Sequence, residues 1–192
     1  MRHKGSLPSG YFEGMFVANP DPWGFETSAY EAAKYDATIA ALGGRRYRSA
    51  LEIGCANGVL TRRLNEHAVD LLAIDVSETA LRLAVARCAD LGVRFEQRAF
   101  PGAAPQGRFD LIVMSEVAYY LGDEDLAAAG RWIDRALVPS GDLLLVHWTG
   151  ETDYPQTADD AVAKLGAAMV APIARLRTDR HENYRLDLWR RA

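Results

Sequence analysis

Leu51-Glu52-Ile53-Gly54-Cys55-Ala56-Asn57-Gly58-Val59-Leu60, running on through Leu71-Leu72-Ala73-Ile74-Asp75, is the stretch that decides the fold. The run Ala50 to Ile53 has the character of a buried strand. It passes straight into two glycines, and from Val59 to His67 apolar residues recur at helical spacing. Leu71 to Ile74 is a second apolar strand, and Asp75 stands at its end. Strand, glycine turn, helix and acid-tipped strand make one βαβ unit.

The same alternation continues outward from this unit. Strands are expected at Val93 to Phe95, Phe109 to Met114 and Leu143 to His147, and helices at Glu78 to Leu91 and Asp123 to Leu137. Right-handed crossovers then give a doubly wound α/β fold with a largely parallel sheet and ligands at the carboxyl ends of the strands. After Trp148 the pattern predicts a loop, a helix from Thr157 to Val170, and a terminal hairpin of Ile173 to Thr178 with Tyr184 to Trp189. Upstream, Ser28 or Thr27 caps a helix that reaches toward Leu42 and ends at Gly43 and Gly44. Residues 1 to about 26, with the turn-rich NPDPWG, read as an irregular arm. At 192 residues, 49% of them hydrophobic, the chain has the material for one domain, residues 1–192, with a capping helix at 27–44.

Composition excludes several classes. Two cysteines, Cys55 and Cys88, are too few for a disulfide framework, which favours a reducing, cytoplasmic setting. The start, MRHKGSLPSGYFEG, lacks a signal-peptide core, and no apolar run is long enough to span a bilayer. A formal charge of −4 argues against a nucleic-acid partner, and the arginines from Arg185 to Arg191 are expected to be solvated strand residues. His3, His67 and His181 show no ligand spacing, so no metal is expected. The sequence sets no oligomeric state.

The glycine turn carries the chemistry. Gly54, Cys55 and Gly58 form a cradle in which the backbone approaches a ligand closely, and Asp75, followed by Val76, is placed to accept hydrogen bonds from a ribose. The G-x-G-x-x-G pattern of dinucleotide sites is missing. Glu52, just before the turn, would repel a pyrophosphate but suits the sulfonium and ammonium of S-adenosylmethionine. That molecule is therefore the expected cofactor, with S-adenosylhomocysteine as product. Ala99 and Phe100 should lie beside the adenine, with Phe100 on the ring or in the core. Ser115 and Glu116, after the fourth strand, belong near the methionine end. Methyl transfer requires alignment and an unprotonated nucleophile. Glu116 and His147 are the candidates for holding or deprotonating the acceptor. Alternatively, His147 is a packed strand-end residue, and Glu116 pairs with an arginine or caps a helix. Trp23, Tyr119, Tyr120, Trp148 and Tyr154 are expected to cluster around the pocket mouth.

Four stretches carry a resemblance: DPWGFETSAYEAAKY at 21–35, LEIGCANGVLT at 51–61, FDLIVMSEVAYYL at 109–121 and HWTGETDYP at 147–155. In these the chain resembles the nodulation protein S family of class I methyltransferases. The resemblance implies a seven-stranded sheet with a final antiparallel hairpin, and N-methylation of a glucosamine at the end of a deacetylated chitooligosaccharide. It also implies an arm folded over the donor. Trp23, Tyr30 and Lys34 then become donor contacts, with Lys34 pairing with the methionine carboxylate. One departure is Ala99, where many relatives carry Asp beside the adenine. The acceptor is thus a small molecule or an oligosaccharide. The alternatives are O-methylation of a small molecule and a non-catalytic S-adenosylmethionine-binding module.

Overall fold

Strand and helix alternate as the sequence pattern demands. The computed structural model describes residues 2–192, and its strands form a seven-stranded mixed sheet, mostly parallel with antiparallel C-terminal strands. The chain divides into two compact units: Pro8–Arg98, and residues 2–7 with Ala99–Ala192.

The first unit contains α1 (Ser9–Ala18), α2 (Ala29–Ala41), β1 (Tyr47–Ile53), α3 (Val59–Leu64), β2 (Ala68–Asp75), α4 (Glu78–Arg87) and β3 (Arg94–Gln97). Its strands lie in the order β3-β2-β1, all parallel. The register sets Ile53 beside Ile74 and Asp75 beside Gln97. The glycine turn and the residues after Asp75 therefore leave the sheet at one edge. Leu51, Ile53, Leu71 and Ile74 are all buried, which explains why β1 and β2 read as apolar runs rather than as alternating ones. Ser28 caps α2 by accepting from the Glu31 N–H, and Gly43 and Gly44 stop it in the left-handed conformation.

The arm departs from the expectation of irregular structure, because Ser9–Ala18 is helical. Its N-cap is Pro8, which offers no side-chain bond, and two glycines interrupt its ten residues. Neither capping nor periodicity announces such a helix; distant contacts hold it. The helix expected at 59–67 ends as α3 and finishes in a 3-10 turn, Asn65–His67.

The second unit contains β4 (Phe109–Ser115), a 3-10 turn at Ala118–Tyr120, α5 (Asp123–Ala136), β5 (Leu137–Trp148), α6 (Ala158–Ala167), β6 (Ile173–Arg180) and β7 (Tyr184–Arg191). The strand order is β4-β5-β7-β6, with β7 antiparallel to both neighbours. Strand β5 starts six residues before Leu143. Pro139, Ser140 and Gly141 form an irregularity inside the β4–β5 ladder, with Ser140 at φ 59°.

The arginines of β7 are not solvated as a group, which corrects the expectation. Placed between β5 and β6, β7 is largely buried. Arg185 grips Asp187 bidentately at 2.7 and 2.9 Å, and Arg190 holds the fully buried Asp142 in the same way. Among the described residues no helix is long and apolar enough to cross a membrane.

Candidate functional site

In the first unit the turn after β1 is folded back onto the end of β2. The Gly54 and Cys55 N–H groups both donate to the Ile74 carbonyl, at 2.8 and 3.0 Å. Gly54 has φ 78°, and even Ala56 is left-handed at φ 50°. This conformation aims the Ala56 N–H at Asp75 Oδ2, 2.9 Å away, while the Ser77 N–H holds Oδ1 at the same distance. Asp75 is only 9% exposed. Burial raises its pKa, and the backbone N–H groups of Ser77, Ala56 and Val76 counter that rise. The turn thus fixes the orientation of the carboxylate expected to meet a ribose.

Gly58 also meets a packing requirement. A Cβ on it would lie 2.8 Å from Ala84 Cα, so its missing side chain lets α4 pack against the start of α3. Cys55 turns its side chain into the core with Ala73, Leu81 and Ala84, and burial pushes its thiol well up. It offers a ligand only backbone. The Val76 carbonyl accepts from Gln97 Nε2 at 3.1 Å.

Glu52 is a buried acid, 2% exposed, and among the described residues its Oε2 has no hydrogen-bond partner. Burial pushes it up to about 7, with the Thr61 hydroxyl pulling it down and the Asp75 charge adding to the rise. An acid in this setting is poised for a cation.

The arm is anchored to the same turn. The buried Asn57 donates from Nδ2 to Glu26 Oε1 at 3.1 Å, and Arg87 bridges Glu26 and the Asn57 carbonyl. Asp21 accepts from the Phe25 and Glu26 N–H groups, which shapes the loop between α1 and α2. Glu13 of α1 accepts from the Ser77 and Thr79 hydroxyls at 2.7 and 2.6 Å. Trp23 stacks on Phe25 at 5.5 Å and meets Phe16 edge-on. Within its unit it forms a cluster with Phe16 and Phe25. Lys34, 2% exposed, pairs with Glu31 at 2.9 Å and lies 5.3 Å from the centre of the Tyr30 ring. Its charge is already balanced within α2.

In the second unit β4 ends at Ser115, and Glu116 takes the left-handed conformation at φ 58°. For a non-glycine residue this is strained, a mark of sites where a side chain must be aimed. The Glu116 N–H donates to the Val146 carbonyl at 2.8 Å. Its Oε2 accepts from the Tyr119 hydroxyl at 2.5 Å and the Trp148 N–H at 2.8 Å. The carboxylate is therefore held by hydrogen bonds from Tyr119 and Trp148. Burial and the neighbouring Glu116 charge raise the Tyr119 pKa well above its ordinary value.

His147 is fully buried, and its Nε2 accepts the Ala118 N–H at 3.1 Å. A backbone amide can only donate, so that nitrogen carries no proton and its lone pair is occupied. His147 therefore shapes the turn after Glu116, and the lone pair a base would use is committed. Tyr119 contacts Tyr120, Tyr154 and His147, with ring centres 4.6, 5.3 and 5.4 Å away. Tyr120 and Tyr154 are 4.7 Å apart. Three of the five expected mouth aromatics thus form one cluster, and Trp148 joins it through its backbone. Ala99 is exposed beyond β3, and Phe100 packs edge-on against Trp132 of α5 at 5.3 Å. Phe100 is half-buried there.

Sequence reasoning missed three contributors: Glu13, the Tyr119 hydroxyl and the Trp148 N–H. Glu13 reaches partners 64 and 66 residues away, beyond any local pattern. Tyr119 lies three residues from Glu116, and that spacing is the one signal available.

A seven-stranded sheet with antiparallel C-terminal strands, a glycine turn after β1 and an acid ending β2 define a class I methyltransferase fold. A sequence profile of the nodulation protein S family matches residues 15–150. The chain belongs to that family. Nodulation protein S of Bradyrhizobium diazoefficiens is 34% identical over 67% of this chain and 63% of its own. The chain spans between 51% and 63% of the length of the curated nodulation relatives it matches. A Pseudomonas syringae protein provisionally assigned as a methyltransferase is 38% identical, with TM-score 0.74 over 85% of this chain and 100% of its own. The N-methyltransferase NodS of Bradyrhizobium japonicum WM9, solved with S-adenosyl-L-homocysteine, shares the fold at TM-score 0.83 and 23% identity, over 95% of this chain and 97% of its own.

Proposed function

We propose that this chain is an S-adenosylmethionine-dependent N-methyltransferase acting on a primary amine of a glucosamine-type sugar or a related small molecule. The observation that carries the reading is the pair of buried acids at the ends of β1 and β2. Among the described residues Glu52 has an oxygen without a hydrogen-bond partner, and Asp75 is oriented by the N–H groups of Ala56 and Ser77. A cationic donor with a ribose satisfies both; a pyrophosphate would face two carboxylates. When bound, the donor supplies an electrophilic methyl group on a sulfonium.

The chain's own residues do the rest. Gly54 and Cys55 present the turn backbone, Glu52 takes the donor's positive charge, and Asp75 accepts from the ribose hydroxyls. Val76, Ala99 and Phe100 are assigned to the adenine side and Ser115 to the methionine end. Trp23, Tyr30 and Lys34 complete the donor side through the arm. Lys34 acts there as half of its pair with Glu31. Glu116 is assigned the acceptor: its carboxylate, held by Tyr119 and Trp148, accepts a proton from an incoming ammonium, which frees the amine lone pair for the transfer. His147 holds the turn that presents Tyr119. Tyr120 and Tyr154 offer aromatic faces of the kind that stack on apolar sugar faces. The family profile runs through both units, which supports treating residues 1–192 as one methyltransferase domain. Two buried free cysteines suit a cytoplasmic setting.

The test is incubation with S-adenosylmethionine and glucosamine oligomers, with N-acetylated oligomers and a hydroxyl-only sugar as controls. Mass spectrometry should show one added methyl group, on nitrogen and with the free amine alone. Methylation of the hydroxyl-only sugar would shift the reading to an O-methyltransferase. Donor binding without transfer to any of these would favour a non-catalytic module.

A further inference from the structure

We propose that Glu13, on the arm helix, is a positioning residue for the donor: it ties the arm to the turn that carries Asp75, so that arm docking and donor binding reinforce each other. The inference rests on the donor reading above.

Helix α1 is weakly specified by its own sequence. It lacks a side-chain N-cap, and Phe16 is its one buried residue. Glu13 instead crosses to the start of α4. Its Oε2 accepts from Ser77 Oγ at 2.7 Å and from the Thr79 N–H at 3.2 Å, and its Oε1 accepts from Thr79 Oγ1 at 2.6 Å. These bonds hold the Glu13 carboxyl down at about 2, so it is ionised throughout the neutral range. A carboxylate at a helix N-terminus also meets the positive end of the helix dipole.

Ser77 is where the arm meets the donor site. Its hydroxyl donates to Glu13 and accepts from the Ala80 N–H at 3.0 Å, which caps α4, and its own N–H donates to Asp75 Oδ1 at 2.9 Å. The other Asp75 oxygen accepts from Ala56 in the glycine turn. An unbroken chain of hydrogen bonds therefore runs from the arm through Ser77 and Asp75 to the turn. Removing Glu13 leaves the Ser77 hydroxyl and both Thr79 donors without their acceptor, and frees the residue that fixes Asp75. Coupling of this kind is reciprocal: a ligand that steadies Asp75 must steady the arm by the same factor.

The experiment uses the full chain and S-adenosylhomocysteine, in wild type, Glu13→Ala, Glu13→Gln and Thr79→Val. Calorimetry gives the dissociation constant, and hydrogen exchange follows the amides of residues 9–18 with and without saturating ligand. In wild type the ligand should slow arm exchange. Glu13→Ala should raise the dissociation constant about tenfold, within the usual span of coupling between sites, and arm exchange should no longer respond to ligand. Glu13→Gln, which keeps one acceptor, and Thr79→Val, which leaves Ser77 and Asp75 untouched, should shift both readouts less and in the same direction. A structural role confined to α1 would speed arm exchange with and without ligand and leave affinity unchanged, which overturns the proposal. Thr79→Val decides the matter alone if Glu13→Ala does not fold: unchanged affinity there also overturns it. Wild type that binds no S-adenosylhomocysteine overturns this inference together with the donor reading; wild-type binding with unaltered variants overturns this inference alone.

Discussion

Replacing Glu52 by Gln should separate the stability of the ligand-free chain from its affinity for a cationic donor. Burial holds this acid at about 7 against an ordinary 4.5. The folded state therefore grips the proton more tightly than the unfolded state does. The stability it contributes is full below about pH 4.5 and is lost as pH rises through about 7. A shift of about 2.5 units at about 1.36 kcal/mol each amounts to on the order of 3 kcal/mol by about pH 8. A neutral glutamine avoids that loss, so Glu52→Gln should raise the melting temperature at about pH 8 by roughly 6–12 °C and give no gain at about pH 4. Donor affinity should move the opposite way, because the cation needs the ionised acid. With a midpoint near 7, about one molecule in eleven is ionised at about pH 6 and about ten in eleven at about pH 8, so wild type should bind S-adenosylmethionine about tenfold more tightly at the higher pH. Calorimetry in buffers of different ionisation enthalpy should show roughly half a proton released per donor bound near pH 7. Glu52→Gln should bind weakly, with no proton release. Flat wild-type affinity from about pH 6 to about pH 8, or a variant that binds as wild type does, would refute the assignment of Glu52 to the donor's charge.

Glu116→Gln and His147→Ala should differ in kind. If Glu116 takes the proton, its amide variant should lose about 10²–10⁴-fold in turnover of a glucosamine acceptor. His147→Ala should leave a buried N–H without its acceptor, lower stability by about 1–3 kcal/mol, and lose less rate; equal losses would return His147 to the chemistry. Gly58→Ala puts a Cβ 2.8 Å from Ala84 Cα at φ 82°, and should destabilise the chain by about 2–4 kcal/mol from crowding and the left-handed backbone. A chemical denaturation curve like that of wild type would show that α4 is not packed on Gly58.

The middle of the sheet was legible because β1, β2 and β4 are largely buried and appear as apolar runs with nothing to compete. Ser28 and Gly43 likewise announce α2 by local chemistry. Helix α1 was invisible because long-range bonds from Glu13 and the burial of Phe16 hold it, not a cap or a periodic face. Strand β5 begins before the expected Leu143 because a bulge at Pro139-Ser140-Gly141 sits inside a continuing ladder. For the candidate site, the sequence named Glu52, Asp75 and Glu116 by their position at strand ends. It could not say that Glu52 is buried with an unpartnered oxygen, that the Ala56 N–H orients Asp75, or that the His147 lone pair is occupied. Each of these depends on backbone directions that residue type does not encode. Gly58 shows the same limit, since a ligand cradle and a helix contact ask for the same residue.

The central claim is that the turn after β1 and Asp75 bind the methyl donor. Calorimetric titration of the purified chain with S-adenosylhomocysteine tests it most directly, with NADH as control and Asp75→Ala as the paired variant. The expected result is micromolar binding of S-adenosylhomocysteine by wild type, none of NADH, and loss of binding in the variant. Absence of binding to the homocysteine product, or a preference for NADH, would contradict the claim.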